Sequence, residues 1–227
     1  MSKPLYLSTY PSFGDFDREA LRRLVGRMAR HGARIAEVGS WLGQGSTRVF
    51  IEELRGCEGR ITCVDTWLGS PNVARHQELA RDFDVFATFL HNVADAGETV
   101  VPLRMASAAA AATFTDRTLD LVFLDGDHSY SATSEDIRAW RSKVAPGGIL
   151  CGHDCESRLT WLNRRRVIRN RHLDTLPARR GAFAVNHPGV VVAVHEAFGR
   201  AVHLWAEEQI ELSDGRRGRS SLWDVRF

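Results

Sequence analysis

The strongest constraint on this fold is a regular alternation of short apolar runs with amphipathic helical segments. Residues 15–31 place apolar side chains at helical spacing, and residues 34–38 form a short apolar run that breaks at a glycine. The pattern then predicts these further elements: helix 45–55, strand 60–65, a helix over about 76–96, strand 100–105, helix 107–114, strand 119–125, helix 131–144 and strand 147–154. Such an order predicts an α/β fold, in which helices cover both faces of a mostly parallel sheet.

Size and composition favour one domain. The chain has 227 residues, of which 44% are hydrophobic and 26% charged, enough for a substantial core. We expect neither secretion nor membrane insertion, because there is no signal-like N-terminal run and no long apolar stretch. Four cysteines without CxxC spacing favour a reducing, cytoplasmic setting. A formal net charge of +2 gives no support to nucleic-acid binding.

A glycine-rich loop, EVGSWLGQGST, follows the first predicted strand. Its Gly39, Gly43 and Gly45 would let a ligand approach the backbone just before a helix N-terminus. The GxxxGxG spacing differs from the GxGxxG motif that binds a dinucleotide pyrophosphate. The carboxylate of Glu37 favours a cationic amino or sulfonium group instead. The alternative is an ordinary strand-to-helix turn.

Two more strand ends carry candidate ligand contacts. Asp65 ends the second strand, where a carboxylate can accept hydrogen bonds from ribose hydroxyls; the alternative is a helix cap or turn residue. Trp67 follows and could pack on a ligand or in the core. Ala106 and Ser107 follow the third strand, where an amide and a hydroxyl could contact the edge of adenine.

These motifs, with VDTW, RMAS, LDLVFLDGDHSY and VAPGGILCGHD, resemble the class I S-adenosylmethionine-dependent methyltransferases. The resemblance covers about residues 34–154 and is to the small O-methyltransferases that include macrocin-type sugar enzymes. HPGVVVAVHEAFG is similar to the helix after the fifth strand, and VHLWAE with SSLWDVRF to the closing antiparallel hairpin. The resemblance implies a Rossmann-like sheet of seven strands, the last one reversed, within a single domain over 1–227.

The resemblance implies that S-adenosylmethionine is the methyl donor. The predicted cofactor site comprises Glu37, Gly39, Ser40, Gly43, Gly45, Ser46, Asp65, Thr66, Trp67, Ala106, Ser107 and Asp125.

Acidic and imidazole side chains follow the fourth and fifth strands. Asp125, Asp127 and His128 follow the fourth, and His153 and Asp154 follow the fifth. Methylation of a hydroxyl needs a base, a metal that acidifies the hydroxyl, or both. The resemblance implies Mg²⁺ held by Asp125 and an acidic pair after the fifth strand, of which Asp154 matches one member, and a base at His128 or Asp127. A site of Asp125, His153 and Asp154 would suit Mn²⁺, Fe²⁺ or Zn²⁺ better than Mg²⁺, or hold no metal. His153 departs from the family, which favours a carboxylate there, so the metal requirement stays open. The alternatives are a helix cap for His128 and a turn for Asp127.

A segment at about 155–188 departs from a minimal methyltransferase. It carries eight arginines: Arg158, Arg164, Arg165, Arg166, Arg169, Arg171, Arg179 and Arg180. They could bind an anionic acceptor, or form a solvated face. Helical spacing of Leu159, Leu162, Arg166 and Arg169 also allows a lid or a contact between copies in a homo-oligomer.

The sequence therefore predicts an enzyme that methylates a hydroxyl of a small molecule, such as a secondary metabolite or sugar. Methylation of nitrogen, carbon or RNA is an alternative, as is a non-catalytic nucleotide-binding module. RNA is disfavoured because the chain has no room for a separate binding module. The glycine spacing disfavours a dinucleotide oxidoreductase.

Overall fold

The computed structural model describes residues 3–10, 13–28, 31–178 and 182–227. Its helices are α1 (Asp15–Gly26), α2 (Ser46–Leu54), α3 (Ala74–Asp82), α4 (Val85–Asn92), α5 (Ser107–Ala111), α6 (Tyr130–Trp140), α7 (Arg164–Arg169) and α8 (Pro188–Phe198). Its strands are β1 (Arg34–Val38), β2 (Arg60–Asp65), β3 (Val100–Arg104), β4 (Leu119–Leu124), β5 (Val144–Gly152), β6 (Leu176–Pro177), β7 (Val185–Asn186), β8 (His203–Leu204), β9 (Ile210–Glu211), β10 (Arg217–Gly218) and β11 (Trp223–Arg226).

Seven of these strands form one sheet in the order β3-β2-β1-β4-β5-β11-β8. Strands β1 to β5 pair in parallel, whereas β11 runs antiparallel to both β5 and β8. The predicted Rossmann-like sheet with a reversed last strand is therefore confirmed. The predicted closing hairpin is confirmed as well, because Trp223 pairs with Leu204 and Asp224 with His203.

Helices cover both faces of the sheet and bury two apolar clusters. Strand β4 is buried at every position, as expected at the centre of a parallel sheet, and apart from Asp120 its sequence is apolar. One cluster joins the sheet to α1 and α2, and the other joins it to α6 and α8. No helix in the described part of the chain is both long and apolar enough to cross a membrane.

The predicted helix over 76–96 is wrong as one element, because it is interrupted between α3 and α4. Phe83 is extended, and the carboxylate of Asp84 accepts a hydrogen bond from the backbone N–H of Ala87 at 2.9 Å. An aspartate at this position starts a new helix by satisfying one of its free N–H groups. The first helix is shorter than predicted and ends at Gly26.

The end of β1 lies against the loop that follows β4. Asp125 donates its backbone N–H to Val38 at 2.8 Å, and Gly39 donates to Val64 at 2.9 Å. Gly39 has a φ of +92°, and a Cβ placed there would lie 2.0 Å from the carbonyl oxygen of Asp125. Only glycine fits both the backbone conformation and this close approach.

We expect Gly39→Ala to lower the free energy of unfolding by about 1–3 kcal/mol more than Gly56→Ala, the usual penalty of overpacking. Gly56 is the matched control because it also has a positive φ, +82°, but no atom lies within 4 Å of its added Cβ. Urea unfolding of both variants measures the difference. Equal losses would mean that the chain relaxes around the new methyl group without cost.

Candidate active site

The carboxyl ends of the parallel strands open into a cleft made of two adjoining cavities. The first has a volume of about 360 Å³ and the second about 300 Å³. Residues common to both are Gly39, Trp41, Ser70, His76, Asp125 and Gly126. The imidazole of His76 stacks on the indole of Trp41 with ring centroids 4.3 Å apart. This stacked pair therefore lies at the junction of the two cavities.

The first cavity collects half of the predicted cofactor residues. Those that line it are Gly39, Asp65, Thr66, Ala106, Ser107 and Asp125. The carboxylate of Asp65 accepts hydrogen bonds from the backbone N–H of Trp41 at 2.8 Å and of Trp67 at 2.7 Å. Burial raises the pKa of Asp65 in spite of these donors. Each of its oxygens has a further lone pair, so Asp65 can still accept a hydrogen bond from a ligand.

The second cavity begins at the glycine-rich loop. Ser40, Gly43, Gly45 and Ser46 line it. Gly39 lines both cavities, whereas the other predicted glycine-loop residues line the second and the predicted residues at the ends of β2 and β3, apart from Trp67, line the first.

Two predicted cofactor residues line neither cavity. The Glu37 carboxylate is fully buried and accepts hydrogen bonds from Ser46 Oγ at 2.6 Å and Thr47 Oγ1 at 2.7 Å, which fastens β1 to the start of α2. Burial raises the pKa of Glu37. The Trp67 ring packs against Phe86 and Phe89 in the core. The position of Trp67 matches its predicted alternative, packing in the core.

The second cavity contains an acid–imidazole cluster centred on Asp154. The carboxylate of Asp154 lies 3.1 Å from His128 Nε2, and 3.3 Å from the Nδ1 atoms of both His153 and His187. Although burial opposes its ionisation, the charges of these three imidazoles hold the pKa of Asp154 far below its usual range. Asp154 has a left-handed backbone, φ +63°, which places its side chain among the three rings.

The imidazole of His128 is held from both sides. Asp174 Oδ1 lies 2.9 Å from Nδ1, whereas Asp154 faces Nε2 and Asp125 lies 3.9 Å from that nitrogen. Burial disfavours the charged ring, but the Asp154 charge and hydrogen bonds to Asp125 and Asp174 raise the pKa of His128 well above its usual value. When Nδ1 donates its proton to Asp174, Nε2 is the nitrogen that faces Asp154 and the second cavity.

Carboxylates face both nitrogens of the His153 ring. Its Nδ1 is 3.7 Å from Asp125 and 3.3 Å from Asp154, and its Nε2 is 3.4 Å from Asp17 of α1. The last contact has an ion-pair distance but not hydrogen-bond geometry. Although burial opposes protonation, the charges of Asp154 and Asp125 raise the pKa of His153 well above its usual value.

The start of α8 completes the cluster. Gly189 packs so closely that an added Cβ would lie 2.2 Å from the carbonyl oxygen of His128. This contact brings His187, two residues earlier, beside His128 with ring centroids 4.8 Å apart. Glu156 Oε1 lies 2.5 Å from His187 Nδ1 and so holds the ring in place.

Asp127 is separated from this cluster. Its carboxylate accepts a hydrogen bond from the backbone N–H of Ser129 at 2.7 Å, and the residue lines the first cavity. Of the five acids and imidazoles predicted at the ends of β4 and β5, the structure thus gathers four.

Sequence reasoning missed several residues of the site: Asp17, His76, Glu156, Asp174 and His187. None follows one of the strands from which the site was predicted, except Glu156, which lies shortly after β5. The local signal for His187 is its position directly before Pro188, the first residue of α8.

The described arginines of the segment over about 155–188 line neither cavity, although Asp174 and His187 of the same segment line the second. Arg158 pairs with Glu207 at 2.8 Å, Arg166 donates to the Pro177 carbonyl, and the Arg171 guanidinium lies over the Tyr130 ring. The exposed members are Arg164, Arg165, Arg169 and Arg171. Arg179 and Arg180 lie outside the described residues.

The donor set fits a divalent metal ion. Asp125, His153 and Asp154 each offer an atom within 4.8 Å of the others, and so do His128, Asp154 and His187. Carboxylate oxygen mixed with imidazole nitrogen suits Mn²⁺, Fe²⁺ or Zn²⁺ better than Mg²⁺, which prefers oxygen alone.

Comparison with known proteins adds a family match. A family model described as "Methyltransferase domain" matches residues 36–155. No curated protein sequence matches the chain significantly.

Among solved structures, the chain is similar to three O-methyltransferase structures at the level of the fold. A candidate O-methyltransferase from Klebsiella pneumoniae aligns with a TM-score of 0.56 and 16% identity over 95% of this chain and 81% of that one. An O-methyltransferase from Bacillus cereus, in complex with S-adenosylhomocysteine, gives 0.54 and 16% over 96% and 84%. The O-methyltransferase NovP gives 0.53 and 16% over 94% and 80%.

We expect Asp154→Asn to lower the pKa of both His128 and His153, because the Asp154 charge stabilises both imidazolium ions. Asparagine tolerates the left-handed backbone at this position. Asp174→Asn is the control, since Asp174 contacts His128 and should leave His153 nearly unchanged. NMR titration of the imidazole protons measures both values. Unchanged titration of His128 and His153 in Asp154→Asn would contradict the central role of Asp154.

Proposed function

The chain belongs to the methyltransferase-domain family matched over residues 36–155, and from this premise we propose that it transfers a methyl group from S-adenosylmethionine to a hydroxyl of a small molecule. The observation that carries the proposal is the junction of the two cavities. A space lined by Asp65 and the glycine-rich loop adjoins a buried cluster of carboxylates and imidazoles. A cofactor and a base for the acceptor hydroxyl would meet there.

In this proposal the nucleoside of the cofactor occupies the first cavity. Asp65 would accept hydrogen bonds from the ribose hydroxyls, and Gly39 would let the backbone approach the ligand. The methionine end would extend along the glycine-rich loop into the second cavity. The complex of the similar Bacillus cereus enzyme with S-adenosylhomocysteine supports this choice of cofactor.

His128 is the proposed general base. Asp174 holds the ring through Nδ1, as an orienting carboxylate does in other histidine bases. Nε2, which faces Asp154 in the second cavity, is the atom that would take the proton of the acceptor hydroxyl. Asp127 is the weaker candidate, because its carboxylate already accepts a backbone hydrogen bond and it lines the first cavity.

Asp125, His153 and Asp154 are the residues that would hold a divalent metal, Mn²⁺ more readily than Mg²⁺. When bound, such an ion would acidify a coordinated hydroxyl and offset the negative charge of the cluster. The chain's own carboxylates orient His128 and His153 in either case.

We propose one domain over residues 1–227 and a reducing, cytoplasmic setting, supported by four free cysteines. An anionic acceptor or a second copy of the chain could meet Arg164, Arg165 and Arg169, which have no ion-pair partner among the described residues.

The proposal predicts formation of S-adenosylhomocysteine when the protein is given S-adenosylmethionine and a hydroxylated acceptor. A panel of glycosides, phenols and sugar phosphates, with amine and RNA substrates beside them, tests the acceptor class by mass spectrometry. We expect chelator to abolish turnover and Mn²⁺ to restore it. Methylation confined to amines or RNA would overturn the hydroxyl assignment, and full turnover in chelator would remove the metal.

We expect His128→Ala to lower kcat by about 10²–10⁴, the usual contribution of a general base, with S-adenosylhomocysteine affinity nearly unchanged. Because only the neutral ring accepts a proton, kcat should rise with pH through the raised pKa of His128. Asp174→Asn removes a charge that raises this pKa, so its profile should move to lower pH.

Asp127→Asn is the matched control for His128→Ala and should retain most of the wild-type kcat. A large loss in Asp127→Asn beside a small loss in His128→Ala would transfer the role of base to Asp127.

A further inference from the structure

A buried carboxylate that the mechanism does not use lines the first cavity. Asp136 of α6 is 8% exposed and lines the first cavity but not the second. Its neighbours in the cavity lining include Ala106 and Ser107, which follow β3. The sequence pattern placed Asp136 in an amphipathic helix and gave it no role.

The hydrogen bonding of Asp136 within the chain is incomplete. Trp140 Nε1 donates to Ser107 Oγ at 2.8 Å, which leaves the Ser107 hydroxyl proton to hydrogen bond with Asp136. A carboxylate accepts up to about four hydrogen bonds, so most of its capacity remains for a ligand.

No cation compensates the charge of Asp136 among the described residues. The charged groups that face it are Glu135 on the same helix and Asp127 from the loop after β4, and both are acidic. Burial, with a smaller contribution from these two acids, raises the pKa of Asp136 to about 6. A buried, poorly compensated carboxylate destabilises the fold unless donors are supplied from elsewhere.

Resting on the proposed function, we propose that the Asp136 carboxylate accepts a hydrogen bond from the exocyclic amino group of the cofactor's adenine and thereby selects adenine among nucleobases. Asp65 at the end of β2 accounts for the ribose, so the base would extend towards the residues after β3 and the inner face of α6. Adenine offers two N–H donors on its amino group and no positive charge. It can therefore satisfy a carboxylate that no side chain pairs.

The test compares the affinities of S-adenosylhomocysteine and its analogue with hydrogen in place of the 6-amino group. We expect wild-type protein to prefer S-adenosylhomocysteine by about 10- to 100-fold, the range for a hydrogen bond to a charged group. Asp136→Ala should bind both ligands with similar affinity, because it removes the acceptor. Calorimetric titration gives each dissociation constant, and thermal unfolding reports whether the variant is folded.

Glu135→Ala is the matched control. Glu135 adjoins Asp136 and lines the same cavity, but it is exposed. We expect this variant to keep the wild-type preference, since an exposed carboxylate contributes little to a screened contact. An equal loss of preference in both variants would overturn the assignment to Asp136.

Wild-type protein alone provides a second test if Asp136→Ala fails to fold. The preference for S-adenosylhomocysteine should narrow as the pH falls from 7.5 to 5, because protonation removes the charged acceptor. Taking the ratio of the two ligands cancels the titration of imidazoles near the methionine end. A preference that stays constant with pH, or that is absent at pH 7.5, would overturn the proposal. Failure of both ligands to bind would instead overturn the proposed cofactor.

Discussion

The close approach of the β1 and β4 ends is the contact on which the site depends. Strands β2 and β3 lie on one side of β1, and β4 and β5 lie on the other, so the connections leave in opposite directions from this point. Crevices open at such positions in parallel sheets. Gly39 allows the two chain segments to touch, so that the start of the glycine-rich loop and Asp125 line the same cleft. The two cavities meet at this contact.

Electrostatics in the second cavity follow from an excess of carboxylates over imidazoles. Asp17, Asp125, Asp154, Glu156 and Asp174 surround three rings, and Asp154 touches all three. The excess favours protonated rings, which cannot act as bases. Any positive charge that enters, whether a metal ion or a sulfonium, would release a proton more readily from the cluster. The charge of a bound ligand and the protonation of the base are therefore coupled by geometry.

The sequence predicted those parts of the site that are local in the chain. Short apolar runs predicted the strands. Because the carboxyl ends of parallel strands meet at one edge of the sheet, the acids and glycines directly after β1, β2, β4 and β5 were expected to lie together. The sequence did not predict Asp17, Asp174 and His187 as site residues, because tertiary packing rather than a strand end brings them to the cleft. The break between α3 and α4 was not predicted either, although its cause is local in the chain. One capping aspartate, Asp84, overrode a helical pattern that was otherwise continuous.

Counting donors distinguishes three acids near the first cavity that burial alone does not separate. Glu37 has both oxygens taken by hydroxyls of α2 and faces no cavity, so its carboxylate serves the fold. Asp65 has two backbone donors and keeps lone pairs towards the cleft. Asp136 has one hydroxyl and two acidic neighbours, and is the least satisfied of the three. Since the cost of burying a carboxylate falls with each donor it gains, the fold alone compensates Glu37 most and Asp136 least. A ligand that supplies donors would therefore stabilise the protein most at Asp136.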